Sequence, residues 1–513
     1  LARTVSWMLR WSTWPRLSVA LKPSAYVPAS ATVGVWSTPV TLYSPTDGYG
    51  GGGGAASQPR VAASLDGSKV VSVYKSRSVR LNGSYDLLRF SRSTDGGVTW
   101  SSGTVLSDWG SYTDVPQIAS SADGTKIAVA WVAQAYPNYQ VKMITSSTSG
   151  ASWSVVTGLS TYGRFAADPQ LRMSADGTRI TAVWAQYDGT SYTVQSKTST
   201  NSGATWPSAA TVLSASNGSN PQLASSADGT RLTAVWRIAS GSNYMIQSKS
   251  SADSGSTWTA PATNLIGAEG VATAPQVTAS ADGLKVTAIW TGNASGKYVV
   301  RTRSSTDGGV TWGASIPALS VAGQDSAEPR ITSSSDGARL SAIWQRSNGT
   351  NTIVQTSSSP DAGLTWGAAT DLTDTGKNAE TRQIVGSSDG TKLTAVWSRP
   401  STYDRRAIQS RASVDSGATW ATVAEVSLLT SYGYWDPHIA GSADGAVVAA
   451  VWGSNSGTPN MTVVQAAGVS SLTPGLTPTF GTVTRTADGF TVPISKYDAD
   501  YGWAVPASAG EAY

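Results

Sequence analysis

Apolar and polar residues alternate with a period of two through short stretches of this chain, and the stretches return at a steady interval. One unit shows the pattern well. Pro169 to Ser174 runs into Ala175-Asp176-Gly177, and Thr178 to Trp184 follows, alternating or continuously apolar. β-Branched runs on either side of Asp-Gly predict a hairpin, because glycine tolerates the positive φ that such a turn requires. A third alternating run, Tyr192 to Lys197, leads into Ser199 to Trp206, and a fourth strand is expected to start near that tryptophan.

The same unit recurs along most of the chain. Asp-Gly pairs stand at Asp66, Asp123, Asp176, Asp228, Asp282, Asp336, Asp389 and Asp444, spaced 52 to 57 residues apart. Between them a second motif, Ser-x-Asp-x-Gly-x-Thr-Trp, closes at Trp100, Trp153, Trp206, Trp258, Trp312, Trp366 and Trp420. A steady period means one supersecondary unit copied many times, each copy needing its neighbours to bury its apolar face. Four short strands per repeat is the size of a propeller blade, and blades in a ring leave no long exposed edge. Val35 to Leu42 reads as a fourth strand and Met461 to Gln465 as a third. The two fragments are complementary, so the sequence predicts an all-β, eight-bladed propeller of four-stranded antiparallel blades, with a closing blade built from both termini. Seven blades with an unpaired remainder is the alternative.

Each box has a structural role: Asp95, Asp253, Asp307, Asp361 and Asp415 are expected to accept hydrogen bonds from their own turns, while the tryptophan covers apolar surface. Thr148 and Asn201 replace the aspartate in two copies, and both can still accept.

Composition narrows the function classes. The 513 residues contain 52 Gly, 21 Trp and no Cys, with 13% charged side chains, which suits a turn-rich β protein without thiol chemistry. Thirty-six basic and 32 acidic residues are dispersed and give no nucleic-acid footprint. No apolar run is long enough for a transmembrane helix.

The boxes at these positions resemble those of the Asp-box, or BNR-repeat, propellers of the sialidase-like superfamily, over nearly the whole array. That resemblance implies boxes at hairpins remote from any active site, and a family containing both hydrolases and binding or scaffolding members. A sialidase-like enzyme would need clustered arginines for a carboxylate, a tyrosine nucleophile activated by a glutamate, and an aspartic general acid. Pro59-Arg60-Val61 and Pro329-Arg330-Ile331 come nearest to the family's arginine motif. They are out of order, and both arginines stand where sibling repeats carry Gln117, Gln170, Gln222 and Gln276. None of the five glutamates, Glu269, Glu328, Glu380, Glu425 and Glu511, adjoins a distinctive tyrosine motif.

In a repeat protein, function is sought where one copy departs from its siblings. Fifteen tryptophans fall in register; Trp109 and Trp435 are the two within the array that do not. Both lie in loops joining one blade's last strand to the next blade's first. Those loops also carry Tyr112, Tyr162, Arg164, Phe165, Tyr432 and Tyr434, and together they are expected to form an aromatic arc over blades eight, one, two and three. Such residues can stack on sugar rings or clasp an extended peptide; the bland alternative is loop-on-loop packing. A second asymmetry is acidic: Asp114, Asp168, Glu328, Glu380 and Asp436 precede their blades' first strands and are placed at the channel mouth. They could hold Ca²⁺, or merely solvate the rim and cap turns. No other cofactor is implied. The sole histidine, His438, replaces the repeat's glutamine and reads as structural.

The domain plan is therefore a leader or damaged export signal at 1–32, the propeller at 33–469, a linker at 470–479, and the start of a truncated Ig-like or fibronectin-like module at 480–513. Such modules are of the kind attached in tandem to bacterial surface proteins. The sequence thus points to an extracellular or cell-surface propeller, a monomer within a larger multimodular chain, that binds a glycan or protein ligand. Sialidase-like hydrolysis and a purely structural spacer remain as the other two readings.

Overall fold

The computed structural model describes residues 3–8, 35–43, 55–80, 83–108, 112–135, 137–241, 243–266, 271–294, 296–316, 318–321, 323–400, 406–427, 434–455, 462–470, 479–480, 484–486 and 489–495. Two compact units divide them, Gly34–Leu472 and a smaller one drawn from 1–33 and 473–513.

The larger unit contains eight antiparallel sheets in chain order. Blade 3 is representative: Ala166–Met173, Ile180–Tyr187, Tyr192–Ser199 and Thr211–Val212 pair in sequence. The fourth strands are only two residues long. Blade 5 has three strands, its fourth reduced to the isolated bridge Thr302↔Ile316. In blade 8 the missing outer strand comes from the other end of the chain, as Val40–Tyr43 pairs with Thr462–Ser470. Trp36 continues this pairing by bridging Val469, and its indole donates to Ser410 Oγ in blade 7 at 2.8 Å.

Two independent features show that the ring closes. The buried apolar residues fall into eight clusters, each shared by adjoining blades, and one, with Leu42, Tyr43, Ala56, Tyr74 and Val451, joins blade 8 to blade 1. Around the axis runs a circle of backbone hydrogen bonds: Leu65 N–H donates to Ala122, Ala122 to Ala175, Ala175 to Ala227, Ala227 to Ala281, Ala281 to Ser335, Ser335 to Ser388, Ser388 to Ala443, and Ala443 back to Leu65, all at 2.6–2.8 Å. Each repeat thus satisfies its neighbour's carbonyl, and the last satisfies the first.

Trp131, Trp184, Trp236, Trp290, Trp344, Trp397 and Trp452 are fully buried at the inter-blade contacts; Tyr74 takes their place in blade 1. The box tryptophans are only half-buried. In each box aspartate the expected turn forms, as at Asp253, whose carboxylate accepts from Thr257 N–H at 2.8 Å and Thr257 Oγ1 at 2.6 Å. Thr148 and Asn201 accept from Ser152 N–H and Thr205 N–H at the same place in the turn, so both divergent boxes keep their shape.

The turns sort the molecule into two faces. Asp-Gly turns and boxes share one, since Ser149 N–H donates to Thr125 and Ser202 N–H to Thr178. Loops between blades meet the second-to-third-strand loops on the other, as when Tyr187 N–H donates to Phe165 and Asn138 Nδ2 to Gly163. The second face is called the loop face below.

In the smaller unit, Arg3–Met8 pairs antiparallel with Gly489–Ser495, which also pairs Thr479–Phe480 and Thr484–Thr486. The sequence separates a leader at 1–32 from a module at 480–513, whereas in the structure a segment of each contributes to one sheet.

Candidate functional site

Every blade bears the same irregularity at its inner strand. Pairing with the second strand slips by a residue, between Ala167 and Gln170 in blade 3, for example. The residue inside the slip adopts a left-handed backbone: Gln58, Val115, Asp168, Asn220, Ala274, Glu328, Thr381 and Asp436 have φ between 31° and 53°. Such values are uncommon outside glycine, and a bulge of this kind re-aims the side chains beside it. Proline follows in seven blades, where the missing N–H costs no ladder bond; Arg382 follows in blade 7.

The five carboxylates predicted at the channel mouth lie at this bulge. Asp168, Glu328 and Asp436 occupy the left-handed position, while Asp114 and Glu380 precede it. They do not converge on one another. Glu328 pairs with Arg382 at 3.2 Å, Glu380 with Arg406 at 2.7 Å, Asp436 with Arg60 at 3.3 Å, and Asp114 with Lys75 at 3.7 Å. Asp168 accepts a long contact, 3.4 Å, from Asn220 Nδ2, and burial raises its carboxyl above the ordinary range against the opposing pull of the Asn220 backbone and Arg237. Among the described residues no group of three His, Cys, Asp or Glu side chains could hold a metal ion. The Ca²⁺ expectation therefore finds no cluster at the carboxylates on which it was placed.

Arginines gather on one side of the channel. Arg60 of blade 1 and Arg330 of blade 6 both act on His438 of blade 8, Arg382 of blade 7 lies by Arg330 and Glu328, and Arg60 Nη1 lies 2.7 Å from His438 Nε2. Burial, then the charge of Arg60, pushes the imidazole down to about 4 against the opposing pull of Asp436. A neutral ring accepting at Nε2 holds its proton at Nδ1. Burial also lowers Arg330, which keeps a hydrogen bond to its own Pro329 carbonyl, and brings Arg382 down to about 10, so Arg382 remains charged near neutrality.

Aromatic residues occupy the opposite side. Tyr112 from the loop before blade 2 meets Tyr139 edge-on, ring centroids 5.2 Å apart, and Tyr139 meets Phe165 from the loop before blade 3 at 5.6 Å. Phe165 is 40% exposed and Tyr162, three residues earlier, 70%. Arg164 borders Gly189, near Asp188, whose carboxyl is lowered first by backbone hydrogen bonds and further by that charge. The Tyr112 hydroxyl donates to Asp114 at 2.6 Å, with Lys75 over its ring at 4.8 Å. That hydrogen bond, with burial, raises the phenol far above its usual range, the reverse of what a nucleophile needs. Trp109 and Tyr432 lie outside the described residues, as do the side chains of Tyr434 and Trp435, whose backbones open the first strand of blade 8.

One component was missed from the sequence although its signal was present. Tyr85, Tyr139, Tyr192, Tyr244 and Tyr298 stand at or near the start of the third strand in five successive blades, where blades 6 and 7 have Thr352 and Arg406. Tyr192, Tyr244 and Tyr298 are 37–40% exposed, Tyr187 packs on Tyr192 at 5.3 Å, and Arg237 stacks over Tyr244 at 4.4 Å. Among the described side chains these tyrosines lie on blades 1–5, while the pairs Glu328–Arg382, Glu380–Arg406 and Asp436–Arg60 lie on blades 6–8 and blade 1. Arg172 was missed as well: it takes the place of Ala62, Ala119 and Ala224, with one hydrogen bond, to its own Leu171 carbonyl.

Comparison with known proteins follows the fold. The family model for the BNR repeat-like domain matches residues 194–448. Among solved structures the chain is similar to NanB sialidase from Streptococcus pneumoniae, at 11% identity over 85% of this chain and 99% of that one, TM-score 0.39. It is also similar to an ulvan lyase bound to a GlcA-Rha3S unit, at 11% identity over 75% and 96%, TM-score 0.47. Prolyl oligopeptidase B from Galerina marginata is matched at 12% identity over 75% of this chain, TM-score 0.42. This chain spans 55% of that protein's length, and the same share of a matched prolyl endopeptidase. A search of curated proteins finds no match. Seven boxes, eight blades and the BNR repeat-like span of residues 194–448 share one register, so the chain is an Asp-box, or BNR-repeat, propeller.

Proposed function

We propose that this propeller is an extracellular or cell-surface binding module that takes a glycan chain across the aromatic residues of its loop face. The observation that carries the reading is the contiguous row Tyr112–Tyr139–Phe165, which bridges two blades, with Phe165 exposed and the two tyrosines half-buried. Tyrosines on a surface otherwise made of Ser, Thr, Asn and Asp suit sugars, whose C–H faces stack on rings while their hydroxyls need hydrogen bonds. An aliphatic groove for a peptide anchor would carry Leu, Ile or Met instead. The test is a glycan array probed with the full chain and with Tyr139→Ala. A ligand class bound by the native chain and weakened at least tenfold, about 1.4 kcal/mol, in the variant supports the proposal. Equal binding by both removes the aromatic row from it, and binding to polypeptides alone replaces the glycan.

Hydrolysis of sialidase type is the second reading, favoured by Arg330 and Arg382 on blades 6 and 7 and Arg60 on blade 1, across blade 8 from them. It lacks a poised tyrosine among the described residues at that cluster, since the tyrosine with a carboxylate partner, Tyr112, is held protonated on the aromatic side. Release of terminal sugars from the array over time would revive it.

A further inference from the structure

Blades 6 and 7 carry the same arginine in two different states. In blade 6, Arg346 stands two residues after the buried Trp344; it donates to Gln324 Oε1 in the preceding loop and pairs with Asp371 at 3.6 Å. In blade 7 the corresponding Arg399 stands two residues after Trp397, and Glu425 corresponds to Asp371. The loop position equivalent to Gln324 is Lys377: Asp325 and Asn378, the next residues, make the same hydrogen bond, to Tyr298 N–H and Thr352 N–H. The acceptor that satisfies Arg346 is therefore replaced by a second cation.

A cavity of about 140 Å³ opens at this place, with Arg399 and Lys377 both in its wall. The loop is held against blade 6 by Asn378, by Ala379 N–H on Thr352, and by Asn348 and Asn351 on the Thr375 carbonyl. The blade 7 wall is Trp397, Gln409 and Glu425, fixed as a chain in which the indole donates to Gln409 Oε1 at 3.2 Å and Gln409 Nε2 donates to Glu425 Oε1 at 2.6 Å. Glu425 is thereby engaged. Among the described residues neither it nor Asp374, the other carboxylate of the cavity, forms an ion pair with Arg399 or Lys377. The Nε of both Arg346 and Arg399 is buried without a partner, so the two differ in what holds their Nη atoms, Gln324 and Asp371 for Arg346 and neither equivalent for Arg399. A buried, unpaired donor on a cation is costly, and an anion seated beside Arg399 relieves it, with Lys377 adding its charge from the exposed rim of the cavity.

We propose that the cavity is a binding site for a small organic carboxylate, free or as the acid group of a saccharide, with Arg399 as its planar partner and Lys377 as the second charge. A guanidinium fork matches a carboxylate in two parallel hydrogen bonds. A cavity of this size holds several water molecules and has room for one carboxylate-bearing group. The site lies on blade 7, away from the tyrosines of blades 1–5, so it stands or falls independently of the glycan reading.

Titration calorimetry of the full chain with acetate, glucuronate, glucose and phosphate tests it. Saturable binding of acetate or glucuronate is expected, with none for glucose. Lys377→Gln restores the arrangement of blade 6, where the glutamine occupies the arginine, and should weaken carboxylate binding at least tenfold without loss of thermal stability; Arg399→Gln should do the same. The assignment fails if neither carboxylate binds, if both variants keep native affinity, or if phosphate binds as tightly as acetate. Acetate binding alone points to a free carboxylate, and tighter binding of glucuronate to the acid group of a sugar. Tyr139→Ala should leave all of these titrations unchanged.

Discussion

At the scale of single residues, His438 shows how a repeat position acquires new chemistry. Its siblings are Gln117, Gln170, Gln222, Gln276 and Gln383, so the fold does not require an imidazole there. The side chain keeps 19% of its exposure and accepts from Arg60, and with its ordinary value of 6.5 depressed to about 4 it is neutral in the folded protein above that pH. Between about 4 and 6.5 the unfolded chain binds more protons at this residue than the folded one. Stability therefore rises with pH across that window: the contribution is complete above 6.5 and is lost as pH falls through about 4. The whole effect is at most about 3 kcal/mol. His438→Gln should fold and should flatten this segment of a plot of unfolding temperature against pH, whereas an unchanged slope would show that the histidine is not the titrating group. The sequence identified the residue and its departure from the repeat. It could not identify Arg60 as the partner, because the two are 378 positions apart and become neighbours only when the ring closes.

Elements in this protein are short, and their turns do much of the work of strands. The box at Asp253 concentrates Ser251 Oγ, Thr257 N–H and Thr257 Oγ1 on one carboxylate, which fixes the path between third and fourth strands where the fourth contributes only Thr263–Asn264. The hydrogen bonds from Thr257 hold the acid below its ordinary range. Asp253→Ala should lose about 1–2 kcal/mol in denaturant unfolding, for donors left without an acceptor. Asp253→Asn should stay within about 0.5 kcal/mol, because the Asn201 box shows that an amide oxygen receives the same N–H at 2.9 Å. Equal losses in the two variants would mean that charge and not geometry holds the turn. Elements of this kind were legible in advance since their requirements are local: Asp-Gly, the box and period-two alternation each specify a backbone state from a few adjacent residues. The bulge on every inner strand was not legible. Val115, Ala274 and Thr381 adopt left-handed backbone there, against their own preferences, because neighbouring strands around the axis impose it.

The whole molecule is a ring whose last joint is not covalent. Seven boxes connect a third strand to a fourth; in blade 8 that connection is absent, and Thr462–Ser470 meets Val40–Tyr43 across the gap. Trp36 sits where a box tryptophan would, and Ser37 N–H donates to Gly468 at 2.8 Å, close to the bond that follows Trp420, from Ala421 N–H to Ala412. Ring number and closure could be read from the chain ends because the two fragments add up to one repeat. The meeting of Tyr112, Tyr139 and Phe165, and of Arg60 with His438, could not, since each depends on which blades become neighbours. Closure by strand pairing leaves opening of blade 8 as the route by which the core shared with blade 1 meets water, while the other joints are tied by the chain itself. A circular permutant tests this: Ser470 is joined to Trp36 through the five intervening residues of a sibling box, 415–419, and new termini are placed in the exposed loop at Ala215 and Ser216, between blades 3 and 4. Tethering the closing strands lowers the entropy lost on pairing them. The permutant should unfold at higher temperature than a 34–470 chain with the natural connectivity, and backbone amides of blades 8 and 1 should gain protection from hydrogen exchange while those of blades 3 and 4 lose it. If protection at blade 8 is already global in the natural chain and does not change on permutation, the circle of backbone hydrogen bonds through Ala443 and Leu65, and not the terminal strand, is what keeps the ring shut.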